Sequence, residues 1–163
     1  LIAYRYFVMF FRWGGVPIVR QANNMADNIN FGRSTAQQTL DFALEMMDEA
    51  LNRLPDTWTD IETGCGQKWE GRITKGAVLS MKARILTFAA RPLFNSNQPY
   101  TKEFGISYPE SQQELIWLGS YDIERYRQAL QANLDVIEWG KQNGKYLIFT
   151  AGEGNVNDYE QAI

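Results

Sequence analysis

Two pairs of carboxylates are spaced closely enough to suggest acid–base chemistry: Asp60 with Glu62, and Asp122 with Glu124. Glycoside hydrolases use two carboxyl groups, one as the acid and the other as the base or nucleophile, around the bond that is cleaved. Residues that are two positions apart on a helix do not face each other, so neither pair is well placed for that reaction. We therefore expect these acids to be solvated and the chain to have no enzymatic activity.

Histidine is absent from the chain, and Cys65 is its single cysteine. This composition excludes Ser-His-Asp and Cys-His catalysis within the chain and removes the commonest ligand of transition metals. Zinc sites need several Cys or His ligands, and calcium sites use an ordered run of carboxylates that the sequence does not show. We expect no metal and no cofactor.

The charge of the chain argues against nucleic acid as a partner. The formal net charge is −3, from 16 basic and 19 acidic residues. Binding to a phosphate backbone depends on clustered Lys and Arg, so an acidic chain gives no electrostatic reason to expect it. With 45% hydrophobic residues over 163 positions, the sequence predicts one globular domain over residues 1–163.

The aromatic run from Leu1 to Trp13 could be a membrane span, a signal peptide or a buried helix. A membrane span needs about 20 apolar residues, whereas this run is shorter and contains Arg5 and Arg12. A signal peptide would show a basic start and a small-residue cleavage site. We interpret the run as a helix that begins upstream of Leu1 and ends at the two glycines and the proline that come after Trp13. Its buried face is expected to contain Ile2, Tyr6, Met9 and Phe10.

Three further amphipathic helices are predicted from apolar residues at three- and four-residue steps, over 35–54, 74–91 and 121–142. Thr35 with Gln38 matches a capping box at the start of the first of these, and Ser34 with Gln37 is an alternative frame. A short helix is expected at 112–118. The buried stripe of the last long helix is expected to be Ile123, Tyr126, Ala129, Leu130, Leu134 and Ile137.

Long loops with aromatic residues separate these helices, over 56–72 and 94–120. Loops of more than about 12–15 residues are uncommon in compact domains and are often functional. The alternation of helices and loops predicts an all-α fold of two helix pairs, compatible with a degenerate solenoid. Besides Phe94, six aromatic residues lie in the two loops: Trp58, Trp69, Tyr100, Phe104, Tyr108 and Trp117.

The order of four segments resembles the SusD/RagB family of nutrient-binding lipoproteins on the surface of Bacteroidetes. The segments are RWGGVPIV after an aromatic helix, RSTAQQTLDFALEMMDEALNRLP, GRITKGAVLSMKARILTFAARPLFN, and a helix ending EWGKQNGKYLIF. The final DYEQAI is similar to the start of another family segment. The resemblance covers nearly the whole chain and implies a tetratricopeptide-like fold of stacked helix pairs, in a protein longer than this chain.

The resemblance also implies a function: a surface protein that captures glycans and passes them to a TonB-dependent, SusC-like transporter in the outer membrane. A lipid anchor would then lie outside this chain, because Cys65 is in the middle of a loop. Sugars stack their C–H faces on flat rings, while amides, carboxylates and guanidiniums bind the hydroxyls. The ligand-binding residues expected on this basis are Trp58, Trp69, Tyr100 and Trp117. The polar residues that are interleaved with the rings of the second loop are Asn95, Asn97, Gln98 and Gln112.

Two alternatives remain open at the level of sequence. The ligand could be a peptide, as in some members of the family, or the helix pairs could be a protein-interaction scaffold, which an apolar stripe on an outer helix face would favour. Large rings in loops also often serve to pin the loop to the core. For Trp13 and Trp139 we expect packing, and for the phenylalanines at 7, 10 and 11 a place in the core or at a scaffold interface. For Arg33 and Arg72 we expect an ion pair or a contact with backbone carbonyls, with ligand binding as the lesser alternative.

Overall fold

The computed structural model describes residues 1–22, 24, 30–58, 69, 71–103, 105 and 109–143, and the regular secondary structure in these ranges is helical. The helices are α1 (Ile2–Trp13), α2 (Ala36–Arg53), α3 (Lys75–Ala89), the one-turn α4 (Tyr100–Glu103), a 3₁₀ helix (Glu110–Leu115) and α5 (Ile123–Asn143). None of the described residues forms a β-strand. The prediction of an all-α fold is confirmed, and the four long helices differ from their predicted bounds by one or two residues.

The long helices pack as two pairs, α1 with α2 and α3 with α5, and α2 also contacts α3. At the start of α2, the backbone N–H of Gln38 donates to Thr35 Oγ1 over 3.1 Å, and the N–H of Thr35 donates to Gln38 Oε1 over 2.9 Å. This capping box satisfies two backbone N–H groups that the first turn of a helix otherwise leaves unpaired. The frame with Thr35 is therefore the correct one of the two predicted.

The main core lies between α1, α2 and α3. Phe10 is fully buried and stacks on Phe94 with ring centroids 5.0 Å apart, while Phe88 packs edge-on against Phe10 at 6.2 Å. From α2, Leu40 and Met47 enter the same cluster. Aromatic pairs at these distances add to the free energy gained by burying their area, so the aromatic helix at the start of the chain is the centre of the core.

Helix α5 packs against α3 through small residues. Ala129 and Ala132 of α5 are buried against Ala83 and Leu86 of α3. Near the other end of the pair, Gly76 leaves room for an indole ring, because a Cβ atom there would lie 2.2 Å from Trp139. The Nε1–H of that ring donates to Asp56 over 2.7 Å, which confirms the expected packing role of Trp139.

The predicted buried stripe of α5 is wrong except for Ala129. The physical reason is that alanine and glycine let the backbones of α3 and α5 approach closely, and this turns the larger apolar residues away from the pair. Those residues are between 39% and 61% exposed: Ile123, Tyr126, Leu130, Leu134 and Ile137. They lie at helical spacing along one face, so the described part of the chain leaves a continuous apolar stripe on an outer helix, called here the α5 stripe.

Helix α1 also departs from its prediction at its two ends. Tyr6 and Phe10 are buried and Met9 is partly buried, but Ile2 is 58% exposed because it lies in the first turn, before the helix reaches the core. Phe7 and Phe10 pack as expected, whereas Phe11 is 53% exposed. Among the described residues, no helix is long and apolar enough to cross a membrane.

Candidate functional site

The turn after α1 is the element that positions the candidate site. Gly14 adopts a φ of +71°, a conformation that a side chain would strain, and the N–H of Gly15 donates to the carbonyl of Leu115 over 2.6 Å. Arg33 donates from Nε to the carbonyl of Gly15 over 2.9 Å and from Nη2 to the carbonyl of Trp13 over 2.7 Å. The expected contact of Arg33 with backbone carbonyls is thus observed, and its guanidinium holds the end of α1 in place.

Trp13 is 66% exposed, so the prediction that it packs into the structure is wrong. The reason is its position as the last residue of α1, where the chain turns away at Gly14 and no other described element covers the ring. Its place at the end of a helix beside two glycines suggested packing. An exposed indole that is fixed by a rigid turn is a suitable platform for a flat apolar ligand surface.

Trp13 lines a cleft of about 290 Å³, which we call the Trp13 cleft. Tyr100, the first residue of α4, also lines this cleft, at the end of the segment that follows α3 and is called here the 92–100 loop; it is one of the four ligand-binding residues predicted from the sequence. The other lining residues come from the end of α1 and the turn after it, from the segment before α2, from the 92–100 loop and from the residue after the 3₁₀ helix: Phe11, Arg12, Gly14, Arg33, Leu93, Phe94 and Ile116. The cleft therefore brings four aromatic residues and two arginines together.

A second hollow of about 490 Å³ adjoins the Trp13 cleft and shares Tyr100 and Leu93 with it. Asn97 and Gln98 line this hollow and are exposed. Their amide groups can both donate and accept hydrogen bonds, as the hydroxyls of a sugar require. The two adjoining hollows, which we call the Tyr100 site, combine rings with neutral polar groups.

Asn95 and Trp117 support the loop that contains Tyr100. Asn95 is buried, with its side chain donating to the carbonyl of Asp122 over 2.9 Å and accepting from the N–H of Asp122 over 2.7 Å. Trp117 is half-buried, and its Nε1–H donates to the carbonyl of Ser96 over 3.0 Å. Both residues hold the 92–100 loop against the start of α5, and their polar groups are already used in doing so.

Trp58 and Trp69 form a second, separate cluster. Their rings meet edge to face with centroids 5.2 Å apart, and Nε1–H of Trp58 donates to the carbonyl of Ile73 over 2.9 Å. The guanidinium of Arg72 lies over both rings, 4.5 Å from the centroid of Trp69 and 5.9 Å from that of Trp58. Cation–π contacts of this kind were not foreseen for Arg72, for which an ion pair or a backbone contact was expected.

The four predicted residues therefore fall into two groups at opposite ends of α3. Trp58 and Trp69 lie beside the segment that precedes α3, while Tyr100 and Trp117 are associated with the loop after it. A helix of 15 residues is about 22 Å long, so one small ligand does not touch both groups. Trp13, Asn97 and Gln98 are closer partners of Tyr100 than Trp58 or Trp69 is.

The carboxylates considered for acid–base chemistry have other contacts where they are described. Asp122 accepts the N–H of Glu124 over 2.9 Å, and Glu124 pairs with Arg127 at 3.2 Å. Asp60, Glu62 and Cys65 lie outside the described residues, as do Phe104, Tyr108 and the final DYEQAI. Within the described ranges, no group of three or more His, Cys, Asp or Glu residues comes together.

One ion pair shifts the pKa of a carboxyl group. Arg20 donates to both carboxylate oxygens of Glu45, over 2.9 and 2.7 Å, and these hydrogen bonds hold the pKa of Glu45 below its usual value. The same pair raises the pKa of Arg20. Neither residue lines the Trp13 cleft, so the pair contributes to the attachment of the 16–20 segment to α2 and not to ligand chemistry.

The comparisons with known proteins agree on one family. A SusD-like family model, described as "Starch-binding associating with outer membrane", matches residues 1–86, more than half of the chain. The crystal structure of a SusD-like protein from Bacteroides fragilis is similar with a TM-score of 0.56 and 24% identity, over 85% of this chain and 19% of that one. No curated protein matches the chain.

A second solved protein, BT4246, is similar over 99% of this chain, with 24% identity. Its TM-score is 0.69, and that of its selenomethionine form is 0.66. The chain spans between 19% and 26% of the length of these solved structures. At this identity the likeness shows the fold, which is the tetratricopeptide-like arrangement of helix pairs expected from the sequence.

Proposed function

The chain belongs to the SusD-like family, described as starch-binding and associated with the outer membrane, and on that basis we propose that it is part of a glycan-binding protein of the cell surface. The Tyr100 site would hold the glycan. The whole protein would be lipid-anchored in the outer membrane, through a segment outside this chain, and would deliver the glycan to a TonB-dependent, SusC-like transporter.

The observation that carries this proposal is the exposed ring of Trp13 beside Tyr100, next to a hollow lined by Asn97 and Gln98. A pyranose ring has an apolar C–H face that stacks on indole or phenol, and its hydroxyls need partners that donate and accept. Both hollows are shallow and open to solvent, which allows a polymer to lie across them and to leave again. Capture and then transfer to another protein requires such easy release.

No catalytic step is part of this proposal. The two described carboxylates that were candidates are engaged at the start of α5, in a hydrogen bond to the backbone and in an ion pair. The glycan would be bound by stacking and hydrogen bonding and would leave unchanged. Trp58 and Trp69, with Arg72, are a second stacking surface on which a longer polymer could rest.

Retention on native gels cast with a panel of polysaccharides tests the proposal with the full-length protein. We expect one polysaccharide to slow the wild-type protein, and Trp13→Ala with Tyr100→Ala to weaken that retention by roughly two- to tenfold per ring, from the energy of aromatic contacts. Trp58→Ala with Trp69→Ala tests the second surface. Tyr126→Ala is the matched control, because Tyr126 is an exposed aromatic residue of the α5 stripe that lines neither hollow.

Each outcome has a distinct meaning. Retention that is lost only in the Trp58/Trp69 variant would move the glycan site to the other end of α3. Retention that none of the variants changes would place the site outside this chain. A protein that no polysaccharide retains, but that binds a peptide library, would replace glycan capture with peptide capture.

The α5 stripe favours a second candidate function, that of a protein-interaction scaffold. Its five residues are exposed in the described part of the chain and have the spacing at which an amphipathic helix packs on another helix. A photo-crosslinking residue at Leu134, with one at Gln142, which is exposed on another side of the same helix, as the control, tests this function in cells. A crosslink from Leu134 to the transporter would support the scaffold, and a crosslink within the same polypeptide would show that the stripe is an internal packing surface.

A further inference from the structure

A groove between α1, α3 and α5 is distinct from the two hollows at Tyr100 and has a different chemistry. Its volume is about 560 Å³, within the range of about 300–1,000 Å³ that is usual for ligand sites. Three arginines line it: Arg12 from α1, Arg84 from α3, and Arg91 from the turn that ends α3. We call it the arginine groove.

Within the described part of the chain, no carboxylate balances the positive charge of the arginine groove. No Asp or Glu lines it, and none of its three arginines forms an ion pair with a carboxylate in the described residues. Basic residues elsewhere on α3 do form such pairs, for example Lys82 with Asp48 and Lys75 with Asp56. Because the chain as a whole has a net charge of −3, three uncompensated guanidiniums around one groove are a local feature that attracts anions.

The arginines are arranged along one face of α3 and its last turn. Arg84 lies in the second half of α3, Arg91 comes two residues after the helix ends at Ala89, and both line the groove. Thr87 lies between them, and its hydroxyl accepts a hydrogen bond from Asn133 of α5 over 3.1 Å. The guanidinium of Arg91 is held 4.9 Å from the centre of the Phe88 ring. The α3 side of the groove therefore presents polar and cationic groups in a row.

The α1 side of the groove presents exposed rings. Tyr4 is 44% exposed, and Phe11, two turns further along α1, is exposed although it also contacts Phe88 at 4.5 Å. Phe11 and Arg12 line the Trp13 cleft as well as the arginine groove. The groove therefore borders the Trp13 cleft, which is one of the two hollows of the Tyr100 site.

We propose that the arginine groove binds an acidic glycan, with a carboxylate or sulfate of the sugar between Arg84 and Arg91 and a sugar ring on Phe11 and Tyr4. Guanidinium groups match planar carboxylates with two parallel hydrogen bonds, and exposed rings match the apolar face of the same sugar. A neutral glucan would leave the charge of the three guanidiniums without a counter-charge, because its hydroxyls are uncharged. This inference rests on the proposed function, and it specifies the class of glycan.

Titration calorimetry with two matched pairs of oligosaccharides tests the inference on the full-length protein. Oligogalacturonate is compared with its methyl ester, and dextran sulfate with dextran, so that carboxylate, sulfate and neutral sugar are distinguished. The variant Arg84→Gln with Arg91→Gln removes two charges from the groove. The control Arg5→Gln with Lys141→Gln removes two exposed charges that do not line the groove.

We expect an acidic oligosaccharide to bind more tightly than its neutral partner, with an affinity that falls as salt is added. The groove variant should lose about fivefold in affinity per arginine, as exposed ion pairs do, and the control variant should bind like the wild type. An equal loss in both variants, or none in either, would overturn the assignment to the groove.

Three other results would also overturn the inference. If a neutral glycan bound as tightly as the acidic one, the proposed function would stand, but the arginine groove would not be a site for acidic glycans. Polyglutamate that competes better than any acidic sugar would identify an acidic protein segment as the ligand. Binding of no glycan, charged or neutral, would reject the proposed function and this inference together.

Discussion

Substitution of Gly15 by alanine tests the turn on which the Tyr100 site depends. A Cβ atom at Gly15 would lie 2.0 Å from the carbonyl oxygen of Ser34 and 2.8 Å from the carbonyl carbon of Thr35. Both are backbone atoms at the start of α2, where the capping box fixes the chain. The movement of a side chain therefore cannot relieve the clash. The backbone must shift by more than 1 Å to reach an ordinary contact of about 3.4 Å.

The expected cost is about 3 kcal/mol, the upper part of the range for overpacking a well-packed site. In a domain of about 150–250 residues, this cost corresponds to a fall in Tm of about 6–12 °C. Urea denaturation monitored by tryptophan fluorescence measures the free energy of unfolding. Because Trp13 is held by the same turn, glycan retention should weaken in the variant under conditions where it remains folded.

Gly32→Ala is the matched control in the same region. No heavy atom lies within 4 Å of a Cβ placed at Gly32, so its free energy of unfolding should change by less than about 0.5 kcal/mol. If Gly15→Ala and Gly32→Ala were equally stable, the close approach of Gly15 to the start of α2 would be refuted, and with it the reason given for the position of Trp13.

Two further predictions concern stability. Thr39 is fully buried, and its hydroxyl accepts the N–H of Val16 over 3.1 Å and donates to the carbonyl of Thr35. Thr39→Val should lower the free energy of unfolding by about 2 kcal/mol, because it leaves a buried N–H unpaired. Equal denaturant midpoints for Thr39→Val and wild type would contradict this. The lowered pKa of Glu45 stabilises the fold above the unfolded pKa of about 4.3, and this contribution is lost as the pH falls through the folded value. Glu45→Gln should therefore lower Tm at pH 7 by an amount that shrinks as the pH is lowered and the carboxyl of Glu45 is protonated, and a difference that does not depend on pH would show that the ion pair with Arg20 is not its source.

The parts of the fold that obey local rules were predictable from the sequence. The capping box of Thr35 and Gln38 and the apolar spacing after it define α2 to within one residue at each end. The glycines after Trp13 end α1 as predicted, because a left-handed residue and a proline shortly after it stop a helix wherever they occur. The order of these segments identified the family.

The buried face of α5 could not be predicted from its sequence, because it depends on the helix against which α5 packs. Periodicity gives two possible faces, one of large apolar residues and one of Ala129, Ala132 and Gly140, and the larger residues suggested the buried one. Close packing on the alanines of α3 selected the other face. A pattern of small residues at the same spacing as the large ones was the signal that could have shown this.

The candidate site was predicted in part. Tyr100 was named from its loop, but Trp13 was assigned to packing, since exposure at the last residue of a helix depends on whether another element packs over that residue. Contacts between residues far apart in sequence, such as Arg33 with the carbonyl of Trp13, cannot be derived from spacing. The arginine groove could not be derived from spacing either, because Arg12 and Arg84 line one groove only through the packing of α1 on α3.

The most direct test of glycan binding at Tyr100 is to monitor the indole N–H signals of the full-length protein by NMR while a retained glycan is added. Trp→Phe substitutions assign each signal. We predict that the signal of Trp13 shifts with a saturable dependence on glycan concentration, while that of Trp139, which is hydrogen-bonded to Asp56 between α3 and α5, stays in place. A signal of Trp13 that does not move when binding is saturated would contradict the proposed site.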